Sequence, residues 1–151
     1  MISRDLTARI KERLNKGKAI LLIGPRQVGK TTLVNTLLED TSFLFLDGDD
    51  AVVADTLANA NTETLKSIIG NYKYVFIDEV QRIPNIGLKL KIIVDQIKDV
   101  QVIVSGSSVL DIHDLTQEPL TGRKFEFQMF PVSWTEFENN VLCPRQVLFD
   151  P

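Results

Sequence analysis

Eight consecutive residues in the first quarter of the chain have the types and spacing needed to bind phosphate groups. Residues 24–31 read Gly-Pro-Arg-Gln-Val-Gly-Lys-Thr and match the pattern Gly-x-x-x-x-Gly-Lys-Ser/Thr. Glycines let the main chain wrap a phosphate with its N–H groups pointing inward, and a following helix directs its positive end to the same place. Lys30 would reach the β- and γ-phosphates of ATP, and the Thr31 hydroxyl would coordinate Mg²⁺. The residues predicted to contact the nucleotide are Gly24, Pro25, Arg26, Gln27, Val28, Gly29, Lys30, Thr31 and Thr32.

The competing interpretation of this segment is an ordinary turn between a strand and a helix that carries a lysine by chance. A second motif argues against it. The apolar run at 74–77 leads directly into Asp78 and Glu79. In P-loop enzymes such an aspartate holds Mg²⁺, and an adjacent glutamate suits a general base that polarises the attacking water. The alternative for this pair is two solvated charges where a strand leaves the sheet.

A third group of polar residues follows the apolar run at 100–104, where Ser105, Gly106 and Ser107 come in sequence. In the branch of P-loop ATPases with an added glutamate, this later strand inserts between the phosphate-loop strand and the acidic strand. Because neighbouring strands lie about 4.8 Å apart, the acidic pair would then lie about 10 Å from the phosphate-loop strand. Ser105 or Ser107 would face the γ-phosphate as a sensor. The alternative is a hydroxyl-rich turn or helix cap.

Strand and helix patterns alternate along the chain and would position these residues. The order predicts an α/β fold with three layers and a mainly parallel sheet of five strands. Thr62 is expected to cap the second half of the helical stretch at 51–69. Strands are predicted at 19–23, 43–46, 74–77, 100–104 and around 125–132. Helices are predicted at 3–15, 30–39, 51–69, 86–98 and 134–140, and a further helix is predicted to end at 115.

Composition narrows the classes of function. The chain has 151 residues, a formal net charge of -3 and one cysteine, so it offers neither a strongly basic footprint for nucleic acid nor an internal disulfide framework. No apolar run approaches the ~18 residues that a membrane-spanning helix needs. These features predict a cytoplasmic protein with no membrane partner and no indicated nucleic-acid partner.

Four stretches together resemble an AAA-type family of bacterial and archaeal P-loop ATPases, in which a C-terminal domain of unknown function usually follows. They are GPRQVGKTTL at 24–33, FIDEVQ at 76–81, VSGSS at 104–108, and LTGR at 120–123 with FPVSWTEF at 130–137. The resemblance implies an ATPase domain at 1–140 and, at 141–151, a tail that begins a missing C-terminal region through which a protein partner would bind. It also implies that Arg123 faces ATP as an arginine finger, in the same chain or from a neighbour in an oligomer, and that Gln81 positions water. The alternatives are a surface arginine and a solvated helix start.

Several functions remain open at this stage. The first is an ATPase that uses Lys30, Glu79, Ser105, Ser107 and Arg123 as catalytic residues and couples turnover to a conformational change. The second is a nucleotide-gated interaction module with negligible hydrolysis. A small-molecule kinase is less favoured because such enzymes usually lack the adjacent Asp78–Glu79 pair. A GTPase is disfavoured because the chain has no Asn-Lys-x-Asp stretch.

Overall fold

The computed structural model describes residues 5–25, 28–107 and 118–130. Within these ranges the chain alternates between helices and strands. The α-helices are α1 (Asp5–Lys11), α2 (Lys30–Leu37), α3 (Ala51–Ala58), α4 (Thr62–Ile69) and α5 (Ile86–Gln96), with a 3-10 turn at Val80–Arg82. The strands are β1 (Ala19–Ile23), β2 (Leu44–Asp47), β3 (Tyr74–Asp78), β4 (Gln101–Gly106) and β5 (Lys124–Gln128).

The five described strands form one sheet in the order β2-β3-β4-β1-β5, and every pairing is parallel. The predicted fold class is therefore confirmed, as is the insertion of β4 between the acidic strand β3 and the phosphate-loop strand β1. All residues of β1 and β4 are buried. Continuous apolar runs are expected for central strands of a parallel sheet because helices cover both of its faces.

Alternate side chains of the sheet belong to two separate cores, as the period of two along a strand requires. Leu21 and Ile77 lie in the core formed with α3, α4 and α5. Ile20 and Phe76 lie in the opposite core, against α1 and α2. The molecule thus has a layer of helices on each face of the sheet.

Two helix ends differ from the sequence prediction, one because of a backbone angle and the other because of a hydrogen bond. The first helix ends at Lys11, and Asn15 adopts a positive φ of 61°, which a right-handed helix cannot continue through. Asn61, not Thr62, caps α4, because its Oδ1 accepts a hydrogen bond of 2.8 Å from the main-chain N–H of Thr64. Two predicted helices, one that ends at 115 and one at 134–140, lie outside the described residues.

One boundary bears on the site. The predicted strand at 100–104 stops before Ser105, but β4 extends through Ser105 to Gly106. The extra residues pair with β1, since Leu22 lies opposite Ser105 and Ile23 opposite Gly106.

In the part of the chain that is described, no helix combines the length and apolar character needed to cross a membrane.

Candidate active site

The carboxyl ends of β1, β4 and β3 lie side by side, so the polar residues that follow these strands meet at one edge of the sheet. Gly24 follows β1, Ser107 follows β4, and Asp78 is the last residue of β3. This edge is where ligands bind in open parallel α/β sheets.

Glycine is required at the first position of the phosphate loop and directly before α2. A Cβ on Gly24 would lie 2.6 Å from the carbonyl oxygen of Met129, too close for any other residue. Gly29 has a φ of 92°, in the left-handed region that favours glycine, and α2 begins directly after it. Val28 packs into the core beneath the loop. Arg26 and Gln27 lie outside the described residues.

Lys30 occupies the first turn of α2, and its side chain folds back into the loop. The residue is only 6% exposed. Its Nζ donates hydrogen bonds of 2.6 Å to the carbonyl oxygen of Gly24 and 2.9 Å to that of Pro25. The ammonium group is thus held within the curve of the loop, beside the positive end of α2. Thr31 and Thr32 follow it and are exposed.

Asp78 accepts hydrogen bonds from three directions. The hydroxyl of Thr31 donates to its Oδ2 at 3.4 Å. The hydroxyl of Ser105 and the main-chain N–H of Glu79, the latter at 3.0 Å, donate to its Oδ1. The structure therefore brings Thr31 and Asp78 together, and their oxygens are of the hard type that Mg²⁺ prefers. Ser105 is fully buried and orients Asp78.

Glu79 lies beside this cluster in an unusual backbone conformation. Its φ of 50° and ψ of 50° belong to the left-handed region, which non-glycine residues rarely adopt and which is enriched at functional sites. The residue is 8% exposed. Its Oε2 accepts hydrogen bonds from Gln81 Nε2 at 2.5 Å and from the Ser107 hydroxyl at 3.3 Å. The sequence did not predict the contact between Gln81 and Glu79. Gln81 lies in the 3-10 turn that follows Glu79, and the side-chain spacing of an α-helix does not apply to such a turn.

Gly48 is a residue beside the site that the sequence prediction missed. Its N–H donates a hydrogen bond of 2.8 Å to the carbonyl oxygen of Asp78. A Cβ at this position would collide with the carbonyl oxygens of Asp78 and Glu79. Only glycine can therefore let the turn after β2 approach the acidic pair. The strand register explains this approach, because Asp47 lies opposite Asp78 and Gly48 follows Asp47.

Arg123 lies at the other end of the sheet. Its carbonyl oxygen accepts a hydrogen bond of 2.8 Å from the N–H of Ala19, the first residue of β1. The five residues of β1 span about 16 Å, so the main chain of Arg123 is far from the phosphate loop. Its Nε donates to both carboxylate oxygens of Asp95 in α5, at 2.9 and 3.1 Å. This geometry does not bring Arg123 to a nucleotide held by the same chain.

The contact with Arg123 predicts a pH dependence of stability. The hydrogen bond from Arg123 is the main cause that lowers the pKa of Asp95 below its usual value of 3.8. A carboxyl group whose pKa is lowered in the folded protein stabilises it above the unfolded-state pKa, and this contribution is lost as the pH falls through the folded-state pKa. We expect Arg123→Ala to lower the free energy of unfolding at pH 7, and we expect this deficit to shrink as the pH falls below about 4, as measured by urea denaturation.

Two further measurements make this prediction specific. Arg82→Ala breaks a longer and more exposed ion pair with Asp49, at 3.4 Å, and should change stability less. A deficit of Arg123→Ala that stays constant from pH 7 to pH 3 would contradict the prediction. ATP hydrolysis measured on the same variant tests the ATP-facing role that the sequence resemblance implied.

A sequence model of the AAA domain family matches residues 16–138, which include the phosphate loop and the acidic pair. The chain belongs to the AAA domain family. Two uncharacterised proteins, from Mycobacterium bovis and Mycobacterium tuberculosis, are each 33% identical to this AAA domain over 121 residues, or 80% of the chain. That match spans 26% of each relative, so the AAA domain covers about a quarter of their length.

Solved structures agree on the fold. The Walker-type ATPase PABY2304 of Pyrococcus abyssi superposes with a TM-score of 0.67 and 17% identity, over 90% of this chain and 55% of that one. The ORC1 protein of Aeropyrum pernix, solved in complex with DNA, superposes with a TM-score of 0.62 and 14% identity, over 88% of this chain and 46% of that one. At these identities the likeness concerns the fold alone. Family membership supports nucleotide binding by this AAA domain.

Proposed function

We propose that this AAA domain binds ATP with Mg²⁺, hydrolyses it to ADP and phosphate, and couples turnover to a conformational change. The observation that carries the proposal is the meeting of three groups at one sheet edge. These groups are the buried ammonium of Lys30, the Thr31–Asp78 oxygen pair and the carboxylate of Glu79.

Binding of the nucleotide would depend on the phosphate loop. Main-chain N–H groups at the end of the phosphate loop and the start of α2 would donate to the α- and β-phosphates, as the helix dipole favours. Lys30 would add a point charge against the β- and γ-phosphates. Its two carbonyl contacts hold the ammonium inside the loop, so little side-chain freedom remains to be lost on binding.

The metal would be held between Thr31 and Asp78. The oxygens of these two side chains would hold Mg²⁺, whose chemistry would be to supply positive charge against the phosphates. Ser105 would keep the Asp78 carboxylate oriented for this role, since it donates to Oδ1 while Thr31 lies on the side of Oδ2. Such hydrogen bonds to a ligand side chain are a common way to orient it.

Hydrolysis would use Glu79 as the general base. A buried carboxylate beside the γ-phosphate can accept a proton from the attacking water. Ser107 follows the strand between Asp78 and the phosphate loop, so its hydroxyl would sense the γ-phosphate. The 3-10 turn that begins after Glu79 would carry the conformational change to the surface, because exposed Arg82 is its last residue.

The test is to titrate the purified chain with ATP and with GTP, each with and without Mg²⁺, and to follow heat and phosphate release. We expect ATP to bind more tightly with Mg²⁺ present and phosphate to be released steadily. Faster hydrogen exchange in the 3-10 turn with ADP than with ATP would support the coupling. A chain that binds neither nucleotide would overturn the proposal.

A further inference from the structure

Gln81 forms a hydrogen-bonded bridge between Glu79 and Ser107. Its side-chain nitrogen Nε2 lies 2.5 Å from the Glu79 carboxylate and 3.0 Å from the Ser107 hydroxyl. Ser107 in turn lies 3.3 Å from the same carboxylate oxygen, so the three side chains close a triangle of hydrogen bonds. One amide group therefore connects the end of β3 with the end of β4.

Ser107 lies on the side of Glu79 that is nearer the phosphate loop, because β4 lies between β3 and β1 in the sheet. A carboxylate held against Ser107 is displaced from its own strand toward the phosphate loop that follows β1. The opposite orientation of the amide would bring its oxygen against the carboxylate, and neither atom could donate. The nitrogen must therefore face Glu79, and it fixes the carboxylate over the end of β4.

The other end of the amide is the buried carbonyl oxygen of Gln81. Gln81 Oε1 is buried and has no hydrogen-bond partner in the described part of the chain. A buried carbonyl oxygen without a partner destabilises a folded protein, and native structures contain few of them. A glutamine with no role beyond packing would be replaced without loss by an apolar side chain of similar shape. Unfavourable groups of this kind are typical of functional sites.

We propose that Gln81 is a positioning residue that holds the carboxylate of Glu79 toward the phosphate loop. This inference rests on the proposed ATPase function and specifies how its general base is oriented. The role differs from positioning of water by Gln81, because its amide nitrogen is bonded to the carboxylate and to Ser107.

The test compares Gln81→Met, which keeps the length of the side chain and removes both polar atoms, with the unmodified chain. We expect kcat to fall by roughly 10²-fold, as for a misplaced catalytic group, while the dissociation constant for ATP stays the same. We expect the unfolding temperature to change little, because loss of the hydrogen bonds to Glu79 and Ser107 is offset by removal of the unpartnered oxygen. Gln96→Met, at the exposed end of α5, is the matched control and should leave kcat unchanged.

A double-mutant cycle separates positioning from a structural role. In a Glu79→Gln background, Gln81→Met should cause no further loss of kcat, because the group that it positions is already gone. Independent, multiplicative losses would overturn the inference, and so would an unchanged kcat in the single variant. If the unmodified chain shows no hydrolysis above Lys30→Ala, the proposed function fails and this inference fails with it. Hydrolysis by the unmodified chain with an unaffected Gln81→Met overturns the inference alone.

Discussion

Replacing Glu79 by Gln is expected to reduce ATP hydrolysis by roughly 10²–10⁴-fold while leaving ATP binding intact. The amide has the shape of the carboxylate and can still accept a hydrogen bond from Gln81, so the local fold should persist. What it loses is the ability to take a proton from water. Phosphate release measures the rate, and calorimetric titration with ATP and Mg²⁺ measures binding.

The same variant decides between the two leading functions. A nucleotide-gated module would show a negligible rate that Glu79→Gln does not change, and this outcome would contradict the assignment of Glu79 as a base. Glu63→Gln is the matched control, because Glu63 is an exposed residue of α4 that forms an (i, i+3) ion pair with Lys66. It makes the same chemical change away from the site and should alter neither rate nor binding.

Replacing Lys30 by Ala is expected to weaken binding of ATP and to lower hydrolysis, each by roughly 10²–10³-fold. The reason is electrostatic. The ammonium lies in a buried position, where its attraction for phosphate is screened less than at the surface. No other side chain of the described phosphate loop carries a positive charge. Binding should be measured with ATP and with ADP, because contact with the γ-phosphate makes the loss larger for ATP.

Loss of a buried lysine can also disturb the fold, and Lys89 provides the control. Its Nζ donates a 2.6 Å hydrogen bond to the carbonyl oxygen of Ala60, so Lys89→Ala also removes an ammonium that satisfies a main-chain carbonyl. Similar unfolding temperatures for the two variants, with ATP binding lost only in Lys30→Ala, would support a direct role in phosphate binding. Undiminished affinity for ATP in Lys30→Ala would contradict the proposed site.

Local patterns were sufficient to predict the parts of the site that depend on one segment. The phosphate loop could be predicted because glycine at 24 and 29 and lysine at 30 are required by turn geometry and charge, which are properties of consecutive residues. The boundaries of β1 agree with its apolar run, because a strand covered by helices on both faces favours continuous apolar residues. Strand insertion could be predicted from the order of the motifs.

Local sequence patterns could not predict the contacts between different segments of the chain. Either Ser105 or Ser107 was expected to face the γ-phosphate, and the contact that the structure adds is a hydrogen bond from Ser105 to Asp78. Arg123 precedes β5 and is therefore at the amino end of the sheet, because β5 runs parallel to β1. Sequence motifs record which residues are present, but the direction of a strand decides at which end of the sheet they lie.

The amino-acid sequence alone determined the fold class, the phosphate loop and the acidic pair, since each depends on residue types and short spacings. Only the tertiary structure decided the neighbours of that pair: Gly48 against its main chain, and Gln81 and Ser107 against the Glu79 carboxylate. The physical reason is that these neighbours come from three segments brought together by parallel strand pairing. Their contacts depend on register and on a left-handed turn at Glu79, neither of which a single segment encodes.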